Sequence, residues 1–386
     1  MKRTLHILLL VALLMGTPAL CAWLGGFDEI WEGVKSFPPR TEDWGFHPEK
    51  LWNRRCPFSW PWFLGMALFT AACLRPLVRR AIRAGLRASP PGDGARKPGV
   101  FPWWGWLGLA ELAVAWVFCW AKFDFCRPIQ PHISYMPLWV GYILVVNALC
   151  VRRSGTSPLT AHPGAYLATF PVSSLFWWFF EYLNRYVWNW YYLGVSQMGA
   201  GEYAFYATLC FSSVLPAVTA TAALLHTFGP FRDERFADLK PVNVRGAGAL
   251  ALFTVVALLG LTGIVFFPQA TFPLLWLSPL MVFLLLQAAL GEPCVLALPG
   301  GRNWALVFRF AAAALVCGLA WETWNYYAVA KWVYAVPYVH RFQIWEMPLI
   351  GFAGYLPFGV ECAVVTAWIC PALVEPGVPV AGDAAR

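Results

Sequence analysis

The sequence predicts an all-α integral membrane protein of about ten transmembrane helices, the last eight arranged as two parallel four-helix repeats. Three observations lead there. Of 386 residues, 59% are hydrophobic and only 12% charged, which is far more apolar than a soluble domain. Apolar runs of about 20 residues recur, long enough to cross a hydrocarbon layer of ~30 Å. An aromatic cluster around a Glu-x-x-Asn pair also occurs twice, at Glu181 and Asn184 and again, 141 residues later, at Glu322 and Asn325.

Taken in order, Lys2-Arg3 precede an apolar run from Leu5 to Leu24, interrupted by Pro18. Ala19-Leu20-Cys21 offers a cleavage site, but the hydrophobic region is long, so the expectation is an uncleaved first span. Residues 27–57 are mixed in charge, carry Phe37-Pro38-Pro39, and read as an exterior loop. A second span, 59–74, runs into a basic stretch with Arg75, Arg79, Arg80, Arg83 and Arg87, and Ser89-Pro90-Pro91-Gly92-Asp93-Gly94 then reads as a linker. Further spans are expected near 101–121, 134–151, 166–184, 203–226, 248–267, 271–290, 304–324 and 348–371.

Three units follow: 1–100 as an N-terminal helix pair with its loop and basic linker, 101–246 as the first membrane repeat, and 247–386 as the second. Besides the Glu clusters, Trp139 parallels Trp276, Phe170 and Leu175 parallel Phe310 and Leu315, and Leu215-Pro216 parallels Leu356-Pro357. An even number of spans per copy keeps both in one orientation, with the pseudo-axis along the membrane normal. Most of the 28 Lys and Arg fall in loops on one side of this arrangement. That bias places both termini in the cytoplasm and the chain in the cell's inner membrane, as a multi-pass protein. It also accounts for the net charge of +8 without a nucleic-acid partner.

The eleven cysteines are scattered through apolar segments with no C-x-x-C pair, so buried free thiols are the ordinary reading. Cys56 and Cys126 both fall in expected exterior loops, where a disulfide could form. No His-x-x-x-His or His-x-x-Glu-His occurs, and His132 and His340 alone do not make a metal site; no metal and no cofactor is expected.

Chemistry must then rest on carboxyls and aromatics. An intramembrane carboxylate costs several kcal/mol against lipid, so it must face protein, water or a partner. A buried one that keeps its proton is a candidate acid. Glu181, Asn184, Glu322 and Asn325 are the leading catalytic candidates, with Glu202 and Glu346 downstream of each cluster. Trp178, Trp190, Tyr192, Trp321, Trp332 and Tyr334 are the candidate substrate-binding aromatics, together with mid-span Glu111 and Glu361. Plainer roles compete: Glu181 and Arg185 stand four apart as a helix ion pair does, the Asn amides suit helix packing, and Trp and Tyr gather at membrane interfaces whatever the protein does. The rings from Trp177 to Tyr192, however, cover every side of a helix, which a lipid-facing belt does not require. Glu322 has no Arg four residues on, which makes it the more proton-active of the pair.

The order acid, about nine residues, Trp-x-aromatic, then a second Glu beside aromatics resembles the lycopene cyclase domain of carotenoid-making bacteria and archaea. The first copy carries Glu181, Trp190-Tyr191-Tyr192 and Gly201-Glu202-Tyr203-Ala204-Phe205; the second carries Glu322, Trp332-Val333-Tyr334 and Trp345-Glu346-Met347-Pro348. Neither has that family's Pro-x-Glu-Glu, and the likeness spans about 30 residues per copy. The resemblance implies an embedded carboxylic acid that protonates a polyene, and hence a membrane enzyme acting on a lipid or isoprenoid. A proton-coupled transporter and a non-catalytic membrane partner subunit are the alternatives, the former kept open by the matched Pro216 and Pro357.

Overall fold

The computed structural model describes residues 2–26, 54–86, 99–121, 123–133, 135–241 and 243–375. Most of the expected 27–57 loop, the linker at 89–94 and the tail after 375 lie outside these. Eleven helices organise the described chain: α1 Lys2–Leu24, α2 Trp60–Leu86, α3 Trp103–Trp120, α4 Tyr135–Ser154, α5 Pro163–Val187, α6 Ala200–Phe211, α7 Val214–His226, α8 Ala247–Phe266, α9 Ser278–Ala289, α10 Arg302–Tyr326 and α11 Tyr355–Ile369. Among the described residues, eight helical stretches are long and apolar enough to cross a membrane, or nine with one bent pair counted as a span. The protein is a helical membrane protein.

Where the structure departs from ten straight spans, the reason is local. The stretch expected at 271–290 is bent by 52° between Pro268–Trp276 and Ser278–Ala289. Pro268, Pro273 and Pro279 each lack an N–H and crowd the preceding turn, so no straight helix can run through them. The expected 203–226 span is present as Ala200–His226, with a local break between α6 and α7. There the hydroxyls of Ser212 and Ser213 donate to the Leu209 and Cys210 carbonyls (2.6 and 2.7 Å), in competition with the backbone ladder. Ser173 of α5 takes up what the break frees, donating to Phe211 O (2.6 Å) and accepting from Leu215 N (3.0 Å). The expected 348–371 span opens as the 3₁₀ turn Leu349–Gly354 and becomes α11 at Tyr355. Helix α5, at the expected fifth span, has 25 residues, but its polar and aromatic content keeps it out of the apolar set.

Small residues allow the closest approaches. A Cβ on Gly141 of α4 would stand 2.7 Å from Leu112 N and 2.8 Å from Gly108 O of α3, so these helices meet backbone to backbone. Helix α1 belongs to the same core: Tyr182 donates to Met15 O (2.6 Å), and buried His6 meets Glu292 at 2.7 Å. Cys56 and Cys126 are both buried free thiols, so the disulfide considered above is not formed.

The two ends of the bundle differ in chemistry. One gathers cations: Arg80 binds Asp238, Arg302 binds Glu375 (2.6 Å), buried Arg309 binds Asp233 (3.0 Å), and Arg245 donates to Glu292 O (2.7 Å). The other end holds the aromatic clusters and the sheet structure. Strand β1 (Trp190–Leu193) pairs antiparallel with β2 (Lys331–Tyr334), and a small hairpin follows from β3 (Gln343–Ile344) and β4 (Met347–Pro348).

Candidate active site

The aromatic run from Trp177 to Tyr192 is not one helix. Helix α5 ends at Val187, and Trp188 closes it in the left-handed region (φ 49°, ψ 42°), its N–H bonded to Asn184 O at 2.7 Å. Asn184 supplies the reason. Its carboxamide donates to Trp190 O (2.7 Å) and accepts from the N–H groups of Asn189 (2.8 Å) and Trp190 (3.3 Å), pulling the chain back as a strand. Asn325 repeats the device at the end of α10, donating to Trp332 O (2.7 Å) and accepting from Trp332 N (2.9 Å). The two Asn side chains therefore bracket strands to helix ends. They do not reach toward a ligand.

The strands so captured meet each other. Trp190 is opposite Tyr334, and Tyr192 is opposite Trp332. The pairing is reciprocal: the Trp of each Trp-x-Tyr faces the Tyr of the other, as in contacts about a two-fold axis. Rings from the preceding elements cross over in the same sense. Trp139 of α4 packs on Trp321 (centroids 5.8 Å apart), while Trp276 packs on Phe180 (5.2 Å) and Trp190 (5.6 Å).

Between these walls lies a cavity of about 130 Å³. Trp190, Tyr192, Trp321, Trp332 and Tyr334 line it, as the sequence suggested, joined by Trp177, Tyr135, Trp139, Trp276 and Tyr355. Trp177 and Trp321 approach to 4.8 Å between centroids. Trp178 is not in the lining; its indole bonds Thr208 Oγ1 at 2.9 Å and its ring packs on Phe211.

Glu181 and Glu322 stand one bond behind the wall, 3% and 0% exposed. Glu181 Oε1 accepts from Tyr192 (2.6 Å), Trp190 Nε1 (2.9 Å) and Trp177 Nε1 (3.0 Å). Glu322 Oε1 accepts from Tyr334 (2.5 Å) and Tyr355 (2.9 Å), whereas its buried Oε2 has no partner. A buried carboxyl oxygen without a donor is costly as part of an anion, and tolerable where the group carries a proton. On the strands, burial above all, and then the nearby carboxylate, pushes the phenols of Tyr192 and Tyr334 well above the ordinary tyrosine range. Both therefore face the cavity as intact O–H groups.

The remaining candidates separate from this centre. Glu202 caps the start of α6 at Gly199 N (3.3 Å) and pairs with His132 (2.8 Å). Glu346 sits in the β3–β4 hairpin, beside Trp345 at φ 54°, and binds Lys331 Nζ (2.5 Å), whose side chain reaches the cavity. Glu111 on α3 and Glu361 on α11 do not line the cavity; Glu361 is 3% exposed, and its Oε2 has no partner. Among the described residues, no three His, Cys, Asp or Glu side chains converge as metal ligands would.

Sequence reasoning missed Tyr355, Trp139, Trp276 and Tyr135. Tyr135 donates to Asn325 Oδ1 (3.1 Å) and Ala330 O (2.9 Å), and it tilts against Trp332. Each stands on an element remote in sequence from the Glu cluster it completes, and only Trp139 and Trp276 left a trace, as a matched pair. The chain matches no protein-family model, and no curated protein or solved structure is significantly similar to it.

Proposed function

We propose that the chain is a membrane enzyme acting on a lipid or isoprenoid by carboxylic acid chemistry. The observation that carries this reading is that two phenol–carboxyl pairs, Tyr192–Glu181 and Tyr334–Glu322, open on one aromatic cavity. An aromatic wall suits an uncharged, unsaturated ligand, and ring faces stabilise positive charge developing on it. Lys331, the charged residue in that wall, is neutralised by Glu346. Protonation of a carbon–carbon double bond is the step the resemblance to lycopene cyclases implies, and a buried carboxyl joined to the cavity through a phenol suits it.

The same reading takes the chain as ten spans in an inner membrane, with repeats at 101–246 and 247–386 about an axis through the strand crossing. The reciprocal register supports the duplication. So do the breaks before Val214 and Tyr355, which fall 141 residues apart. The cationic end of the bundle, where α1 begins and α10 starts, then faces the cytoplasm, as do both termini. The aromatic site lies toward the exterior.

The test compares lipid and pigment extracts from cells with the gene, without it, and with Glu322→Gln. Gene-dependent conversion of one lipid species is expected, with a loss of about 10²–10⁴-fold in rate for Glu322→Gln at normal expression. A fully active Glu181→Gln, Glu322→Gln double variant would sink the acid mechanism. Interrupted helices beside the cavity favour a transporter as the second reading; proton-dependent uptake into proteoliposomes, without conversion, would establish it instead.

A further inference from the structure

The two carboxyls are not equivalent, and the difference is built by a pair of compensating residues. At the 141-residue offset, Trp177 corresponds to Gly318 and Val214 to Tyr355. In the first copy the indole of Trp177 rises from one turn before Glu181 and donates to it at 3.0 Å. In the second, Gly318 leaves that place empty. A Cβ there would stand 2.6 Å from Cε2 of Tyr355, so the absence of a side chain is what admits the Tyr355 ring. Tyr355, from α11, then donates to Glu322 at 2.9 Å, where Trp177 donates to Glu181. The second indole is shared: Trp190 donates to Glu181, whereas Trp332 donates to the oxygen of Tyr334 (2.9 Å) and acts on Glu322 as well.

An indole N–H gives a hydrogen bond and accepts none, whereas a phenol does both. Glu181 is thus held by two groups that stabilise a carboxylate and relay nothing, with Tyr192 as its one phenol. Glu322 is held by two phenols, both on the cavity wall, and keeps a buried oxygen without a donor.

We propose that Tyr355 is a catalytic residue: its phenol hands a proton to the cavity's occupant and recovers one from Glu322, while Glu181 remains an anion that positions the first strand. Only protons move. In the resting site the Tyr355 hydroxyl donates to Glu322 Oε1; on turnover it turns to the occupant, its O–H bond breaks as a C–H bond forms there, the Glu322 proton, then on Oε1, passes to the phenolate oxygen as that O–H bond breaks, and the negative charge rests on Glu322. Loss of a proton from the adjacent carbon restores the acid, so a double-bond shift needs no co-reactant. The inference rests on the acid-enzyme reading for its occupant, but the asymmetry of the two carboxyls can be measured without one.

Infrared spectra of the full chain in detergent, taken in H₂O and in D₂O, report protonated carboxyls directly. The deuterium-sensitive carboxyl band is expected to lose a component in Glu322→Gln and to lose none in Glu181→Gln. Tyr355→Phe keeps the ring above Gly318 and removes only the hydroxyl, so that component should persist and move to higher wavenumber as its carbonyl loses a donor. In cells, Tyr355→Phe should cut the gene-dependent lipid conversion by about 10²-fold or more. An unmoved band in Tyr355→Phe, conversion at parental level, or a component lost from Glu181→Gln would each overturn the proposal. Cells without any gene-dependent lipid would remove the catalytic role even if the infrared shift appears, which separates failure of the enzyme reading from failure of the asymmetry.

Discussion

Asn325 is the place where the structure makes its firmest demand. The residue is fully buried and bonds both backbone groups of Trp332, at 2.7 Å to O and 2.9 Å from N. Asn325→Ala orphans that N–H and that C=O together. Trp332 is half-buried, so each group left unpaired costs toward the lower end of about 1–3 kcal/mol, and the variant should lose about 2–3 kcal/mol of stability. Tyr135 also loses a partner but keeps Ala330 O, and adds little. Against a total stability on the order of 5–15 kcal/mol, this is a large fraction. Thr323→Ala is the control: it is two residues away and half-buried, its hydroxyl bonds only Leu319 O within α10, and it should move stability by less than about 1 kcal/mol. Unfolding in mixed micelles, followed by tryptophan fluorescence, reads both. The strand should leave the helix end first in Asn325→Ala, so quenching of fluorescence by aqueous iodide should rise before the global transition. If Asn325→Ala unfolds within about 0.5 kcal/mol of the parent, the amide does not bracket the strand and the site has another support.

Three further outcomes rest on the same packing and charge. Gly318→Ala should fold but push the Tyr355 ring aside, because the new methyl would start 2.6 Å from it; conversion should fall toward that of Tyr355→Phe, and parental activity would contradict the packing. Arg80 beside Asp238 holds that exposed carboxyl below its usual range. The stabilisation it brings is therefore complete above the unfolded-state value near ~3.9 and is lost as pH falls through the lower folded value. The small acid-side decline in thermal stability should be absent in Asp238→Asn. Reporters fused after Ala95 and at the C-terminus should both read cytoplasm, and one after Ser196 exterior; an exterior C-terminus would break the ten-span reading and the parallel repeat with it.

The membrane class and most helix positions were legible in the chain because apolar runs of span length leave few other structures available. The pairing of Glu181 with Trp190 and Tyr192, and of Glu322 with Trp332 and Tyr334, was legible as spacing. The reason for the spacing was not. Periodicity read Trp188 and Trp190 as more helix, since the turn depends on an Asn side chain bonding backbone five and six residues on, which no local pattern announces. Glu202 read as an acid because it follows the first cluster, yet its bonds are those of a helix cap. Tyr355 was invisible for a different reason: the residue 141 positions before it is Val214, so matching the two Glu clusters does not bring it out.

The two Glu clusters also depend on each other through their strands. Strand β2 carries Tyr334, yet as a four-residue strand it has its register set by one partner, β1. A slip of one residue would turn Tyr334 to the opposite face and take its hydroxyl from Glu322. The register is held by the two Asn brackets, on Trp190 and Trp332, and by the reciprocal Trp–Tyr pairs that those same two residues make. Glu181 fixes β1 through Trp190 and Tyr192, so the carboxyl at the end of α5 positions the strand that aligns Tyr334 on β2. Under the proposed mechanism the Glu181 side then serves as a fixed template and the Glu322 side supplies the exchangeable proton, and the crossing of β1 and β2 couples them.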